Sequence, residues 1–132
     1  MQTEQISAAP VRVFVVEDSP RIRERLDELI ANAGAVSAGH AANVGPATRL
    51  ILETHPDIVI LDLQLADGSG FDVLRAVHDV APEIEIYLFT NFAADPYRQL
   101  AERLGARGFI DKSREFERVH DVIVQHRAVA AH

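Results

Sequence analysis

Residues Asp57–Leu74 read DIVILDLQLADGSGFDVL. An unbroken β-branched and apolar run ends on an acid, Asp62. A glycine-rich turn, ADGSG, and a helix-like pattern follow. A continuous apolar run predicts a strand buried on both faces, the kind found in parallel sheets. A carboxylate at its carboxyl end needs a reason, because charge at the edge of a core is costly unless it is paired or used.

The same grammar repeats on either side. VRVFVV (Val11–Val16) is a second buried strand that stops at two acids, Glu17 and Asp18. SPRIRERLDELIANAG follows, with Ser19 as helix N-cap, Pro20 at the first helical position and Gly34 closing the helix. AVSAGHA reads as a weak strand and NVGPATRLILETH as a helix. Downstream, FDVLRAVHDVA is a helix, EIEIYLFT a strand ending at Thr90, DPYRQLAERLG a short helix and ARGFID a short strand. SREFERVHDVIVQHRAVAA is a final helix with Phe116, Val119, Val122 and Ile123 as its apolar stripe. Strict alternation with short connections predicts a parallel sheet with helices on both faces and right-handed crossovers.

The chain of 132 residues is long enough for one core without staples, and it contains no cysteine, which excludes disulfides and thiol chemistry. Its formal net charge of −7 disfavours direct binding of nucleic acid and suits a protein partner or a cation. No apolar run reaches the length of a membrane span and no secretory signal is visible, so a cytoplasmic protein without membrane association is expected. The histidines His40, His55, His78, His120, His126 and His132 show no metal-ligand spacing and read as surface or helix-face residues.

Ligands of open α/β sheets bind outside the carboxyl ends of the strands. Glu17, Asp18, Asp62, Thr90 and Lys112 all fall at such ends. Carboxylates converging there repel one another, and a hard divalent cation such as Mg²⁺ relieves that repulsion while leaving room for phosphate oxygens. With Thr90 as hydroxyl donor and Lys112 as a fixed positive charge, these are the parts for phosphoryl transfer to Asp62. Singly, each has a plainer explanation: Asp18 or Ser19 as a helix cap, Thr90 as a β-former, Lys112 as a solvated charge. Their coincidence at one sheet edge favours chemistry.

From about Val11 to Val124 the sequence resembles the receiver domain of bacterial response regulators, through VVEDSP, ILDLQLADGSGFDVL, LFT and GARGFIDK. The resemblance implies a flavodoxin-like (βα)5 sandwich with a five-stranded parallel sheet in order 2-1-3-4-5. The receiver domain would span residues 11–128, between an N-terminal extension (1–10) and a C-terminal tail (129–132), with no output domain. It implies that Asp62 is the phosphoacceptor, and that Asp18 binds Mg²⁺ directly with Glu17 acting through water. Asp62 and the Gln64 carbonyl complete the metal set, Thr90 and Phe109 act as switch residues, and Lys112 is the family's lysine. The implied partners are a sensor histidine kinase or histidine phosphotransfer protein and a downstream protein target, with a second copy of the chain as a further candidate. On this reading the chain assists its own phosphorylation without being a turnover enzyme. Phosphorylation would draw Thr90 inward, let Phe109 turn in, and change the surface of the fourth helix, fifth strand and fifth helix.

Two positions depart from the family pattern. Ser113 follows Lys112 where a proline in a cis peptide is usual; a cis bond is not expected here, and Ser113 is a candidate N-cap of the last helix. Asn91 and then Phe92 follow Thr90 where a small residue is usual, which predicts narrowed access to Asp62. Other readings fit less well. A receiver-like module that binds partners without phosphorylation would not need the full acid, hydroxyl and lysine set. A flavodoxin-like electron carrier would not place acids where a flavin phosphate binds. An aspartate-nucleophile phosphatase would want an acid at the position of Gln64.

Overall fold

The computed structural model describes residues 9–130. Its elements run β1 (Arg12–Val16), α1 (Pro20–Asn32), β2 (Val36–Ala41), α2 (Val44–Thr54) and β3 (Ile58–Leu61). A two-stranded hairpin follows, β4 (Gln64–Leu65) and β5 (Gly68–Ser69). The chain continues through α3 (Gly70–Val80), β6 (Glu85–Thr90), α4 (Asp95–Arg103), β7 (Gly108–Asp111) and α5 (Arg118–Ala130). The main sheet is five-stranded, in order β2-β1-β3-β6-β7, and every pair in it is parallel. With the hairpin strands set aside this is the 2-1-3-4-5 order, a flavodoxin-like sandwich.

Strand alternation divides the core into two layers. Phe14, Val16, Val59, Leu61, Ile86, Leu88 and Phe109 point to the side covered by α2, α3 and α4. Val13, Val15, Ile58, Ile60, Tyr87, Phe89 and Ile110 point to the side covered by α1 and α5. The β1 and β3 cores are therefore apolar on both faces, which is why their sequences read as continuous runs.

The helix boundaries follow their local chemistry. The Ser19 side chain accepts the Ile22 N–H, Pro20 opens α1, and Gly34 beyond its end takes φ +77°. β2, the weak strand, lies at the sheet edge, its register to β1 slips between Val13 and Phe14, and Val36 is exposed. An edge strand has only one neighbour and half a buried face, so it carries no strong apolar signature.

Two expectations need correcting. ADGSG is not wholly loop, because Gly68–Ser69 pairs with Gln64–Leu65 as the hairpin. Ser113 is not the N-cap of α5, which begins only at Arg118. The carboxylate of Asp111 instead accepts N–H bonds from Ser113 (3.0 Å) and Arg114 (3.2 Å), and this bends residues 112–117 into turns before the helix. Phe109 is buried in this structure, with the Arg98 guanidinium 4.8 Å from its ring centroid. The expected extension 1–10 and tail 129–132 fall largely outside the described residues; α5 itself continues through Ala130.

Candidate functional site

Parallel β1, β3, β6 and β7 deliver Glu17, Asp62, Thr90 and Lys112 to one edge of the sheet. Glu17 follows the last residue of β1 and Asp62 the last residue of β3, and Val16 and Leu61 are direct cross-strand neighbours. Thr90 ends β6 opposite Asp111 of β7, so Lys112 comes next in line. The Thr90 carbonyl accepts the Lys112 N–H at 2.9 Å, which fixes the lysine backbone against β6.

The side chains complete the convergence. Lys112 Nζ donates to Glu17 Oε1 at 2.9 Å and to Asp62 Oδ2 at 3.1 Å. The second oxygen of Glu17 accepts the Ser19 N–H at 3.0 Å, and Asp62 Oδ1 accepts the Gln64 N–H at 3.2 Å. Glu17 and Asp62 are buried while Asp18 stands exposed beside them. One carboxylate oxygen from each of Glu17, Asp18 and Asp62 lies within 4.8 Å of the others. No ion pair engages Asp18 among the described residues.

The balance of charge is unequal, with three acids facing one lysine. Burial pushes the Glu17 carboxyl above its usual range, against the hydrogen bonds from Lys112 and Ser19, and the nearby Asp62 charge adds to the rise. Burial alone would lower the Lys112 ammonium. The Glu17 hydrogen bond and the two carboxylate charges outweigh it and hold the lysine above its usual value. The donor set is all oxygen, anionic and undercompensated, which is what a hard divalent cation requires. Glu17, Asp18 and Asp62 could therefore hold a metal ion.

Thr90 is fully buried, and its Oγ1 accepts the Phe92 N–H at 3.1 Å. These groups line a cavity of about 420 Å³, together with Gln64, Leu65, Asn91 and Phe92. The structure thus gathers Glu17, Asp18, Asp62, Gln64, Thr90 and Lys112 around one space. Phe109 is not part of its lining and sits behind it, in the layer under α4.

Some of the site was not singled out from the sequence. Ile22, in the first turn of α1, lines the cavity. Gly70 is a structural requirement: a Cβ there would collide with the Asp62 carbonyl oxygen and with Leu63 Cα, so only glycine lets α3 start this close to the acid. The hairpin that carries Gln64 had no turn signature in the sequence, because its loop residues are Ala66 and Asp67 and neither takes a positive φ. The contact between Asn91 and Ser113 had no signal either, because it joins two separate loops.

Comparisons with known proteins agree with this geometry. The family model for the response regulator receiver domain matches residues 13–124. The chain is 29% identical over 112 residues to the chemotaxis protein CheY of Thermotoga maritima, covering 85% of this chain and 93% of that one. It is 29% identical over 103 residues to the DNA-binding transcriptional activator DevR/DosR of Mycobacterium tuberculosis. That match covers 77% of this chain but spans only about half, 48%, of the activator. Among solved structures, the signal receiver domain of a putative LuxO repressor protein from Vibrio parahaemolyticus superposes with a TM-score of 0.83. The two are 24% identical, with 93% and 94% of the chains covered. Among the described residues no helix is long and apolar enough to cross a membrane. With the parallel sheet, the acidic edge and the family match in agreement, the chain belongs to the response regulator receiver domain family, a class of signalling module rather than a classical turnover enzyme.

Proposed function

We propose that the domain receives a phosphoryl group on Asp62 from a phosphohistidine of a sensor kinase or phosphotransfer protein. An Asp62 carboxylate oxygen forms the new P–O bond as the P–N bond of the donor breaks, and the imidazole leaves with the bonding pair. Lys112, now bonded to Asp62 Oδ2, is placed to pair with a phosphoryl oxygen once Asp62 is esterified. The Thr90 hydroxyl, buried at the cavity wall, has its proton free to donate to another, since its oxygen is the acceptor for Phe92. A bound Mg²⁺, held by Glu17, Asp18, Asp62 and the Gln64 carbonyl, supplies neutralising charge for the transferred group. The observation that carries this reading is Lys112 bridging Glu17 and Asp62, with Asp18 beside them and in no ion pair among the described residues.

The consequence is a shift between packings rather than a new fold. Drawing Thr90 toward a phosphoryl oxygen takes the acceptor away from the Phe92 N–H and loosens the loop before α4. Because Phe109 is already buried, the change falls on the Arg98 side chain above it and on the α4, β7 and α5 face. A downstream protein reads that face. Intact-mass measurement with Mg²⁺ and a phosphodonor tests the proposal. One phosphoryl adduct is expected, absent from Asp62→Asn and from a chelated sample; an adduct that persists in Asp62→Asn overturns it.

A further inference from the structure

Two positions on separate loops meet at the rim of the cavity. Asn91 opens the loop between β6 and α4, and Ser113 lies in the turn between β7 and α5. They are 22 residues apart in sequence, yet Ser113 Oγ donates a hydrogen bond to Asn91 Oδ1 at 2.6 Å. The bond spans the edge of the sheet beside Thr90 and Lys112.

Both ends of this bridge are held in place. The Ser113 N–H is anchored on the Asp111 carboxylate, which presets the turn carrying the hydroxyl. On the other loop the Phe92 N–H is bonded to the Thr90 hydroxyl oxygen, and the Phe92 ring packs edge-on against Tyr97 with centroids 6.2 Å apart. Asn91 and Phe92 both line the cavity in which Asp62 is buried, whereas Ser113 is not among the lining residues. Ser113 therefore bears on the approach to Asp62 only through Asn91. The bridge itself is exposed. A single exposed hydrogen bond is weak enough to open on its own and strong enough to bias which state prevails.

We infer that the Asn91–Ser113 hydrogen bond is a latch on the approach to Asp62, with Ser113 as a positioning residue, and that it favours compact phosphodonors over bulky ones. The inference rests on the assignment of Asp62 as phosphoacceptor. With an N-protonated donor the transfer balances without another reactant: the P–N bond breaks, Asp62 gains a P–O bond, and the nitrogen departs with the bonding pair. Phosphoramidate releases ammonia in this way, and phosphoimidazole releases imidazole. The two donors share the same chemistry and differ in the size of the leaving group.

The test compares initial labelling rates with these two donors, by intact mass and in Mg²⁺. The proteins are the full chain, Asn91→Ala, Ser113→Ala, the double variant and Ser113→Thr. Opening the latch should raise the phosphoimidazole-to-phosphoramidate rate ratio about 2- to 10-fold in either single alanine variant, the range one net hydrogen bond can hold. The double variant should gain no more than the singles, because one bond is removed in each case. Ser113→Thr, which keeps the hydroxyl, should retain the parent ratio. A ratio unchanged in Ser113→Ala, or equal acceleration of both donors, overturns the latch while leaving Asp62 as phosphoacceptor. Absence of an adduct with either donor in every protein overturns the phosphoacceptor assignment and the latch with it.

Discussion

Lys112 faces more negative charge than it can neutralise. Its ammonium is shared between Glu17 at 2.9 Å and Asp62 at 3.1 Å, both buried, and it lies 5.3 Å from the centroid of the Phe89 ring. Removing one partner of a buried ionic cluster leaves the others uncompensated, which costs more than the pair itself is worth. Lys112→Met, which keeps much of the stem, should therefore lower unfolding stability by about 3 kcal/mol in chelator. Mg²⁺ should recover a larger share of stability in the variant than in the parent, because the same carboxylates then have a substitute cation. Denaturant unfolding with and without Mg²⁺ checks this, and an equal loss under both conditions would contradict it. At this scale the sequence told which residues carry charge to the sheet edge, since each of Glu17, Asp62 and Lys112 directly follows a strand. It did not tell which oxygen each proton meets. The Ser19 N–H on Glu17 and the Gln64 N–H on Asp62 depend on loop conformations that no local pattern encodes.

At the scale of elements, the loop after Asp62 is tied to a helix distant in sequence. Asn43 occupies the N-cap of α2 but makes no side-chain capping bond. Asp67 Oδ1, in the turn of the β4–β5 hairpin, accepts the Val44 N–H at 2.8 Å instead. A carboxylate there also meets the positive end of the helix dipole. Asp67→Ala should cost about 1 kcal/mol, the usual value of an N-cap, with Asp67→Asn losing less. Equilibrium denaturation is the measurement, and a neutral Asp67→Ala would show that the hairpin and α2 are not coupled. This contact marks the limit of what was legible. β1, β3 and β6 were readable because both faces are buried, and α1 because Ser19, Pro20 and Gly34 punctuate it. β2 was faint because it is an edge. The start of α5 was displaced because Asp111 captures the N–H groups of Ser113 and Arg114, a local alternative to helix that propensity does not reveal.

The molecule as a whole is a sheet sealed between two apolar layers, and the layer under α1 and α5 contains one phenol. Tyr87 is buried in that layer, directly across from Gly108 of β7, where any Cβ would press on its ring. Its hydroxyl donates to Glu85 Oε1 at 3.3 Å, while the other Glu85 oxygen meets His126 Nδ1 of α5 at 2.9 Å. Burial, helped by the Glu85 charge and its hydrogen bond, pushes the Tyr87 phenol from 10.0 up to about 12. An acid whose pKa is raised on folding stabilises the native state below the unfolded value and loses that contribution as pH rises through the folded one. Between pH 10.0 and about 12 the unfolded chain ionises Tyr87 while the folded chain does not, so stability should decline across that window. The loss should amount to at most about 3 kcal/mol, given about 1.4 kcal/mol per unit over about two units. Tyr87→Phe should remove this component of the alkaline decline and abolish the late-rising part of the phenolate absorbance. The chain's only other tyrosine is Tyr97, so the absorbance can be assigned from a single variant. If the late-rising absorbance survives in Tyr87→Phe, the buried phenol is not its source. A parallel fall in stability for both proteins would place the alkaline sensitivity outside the layer that joins β6 to α5.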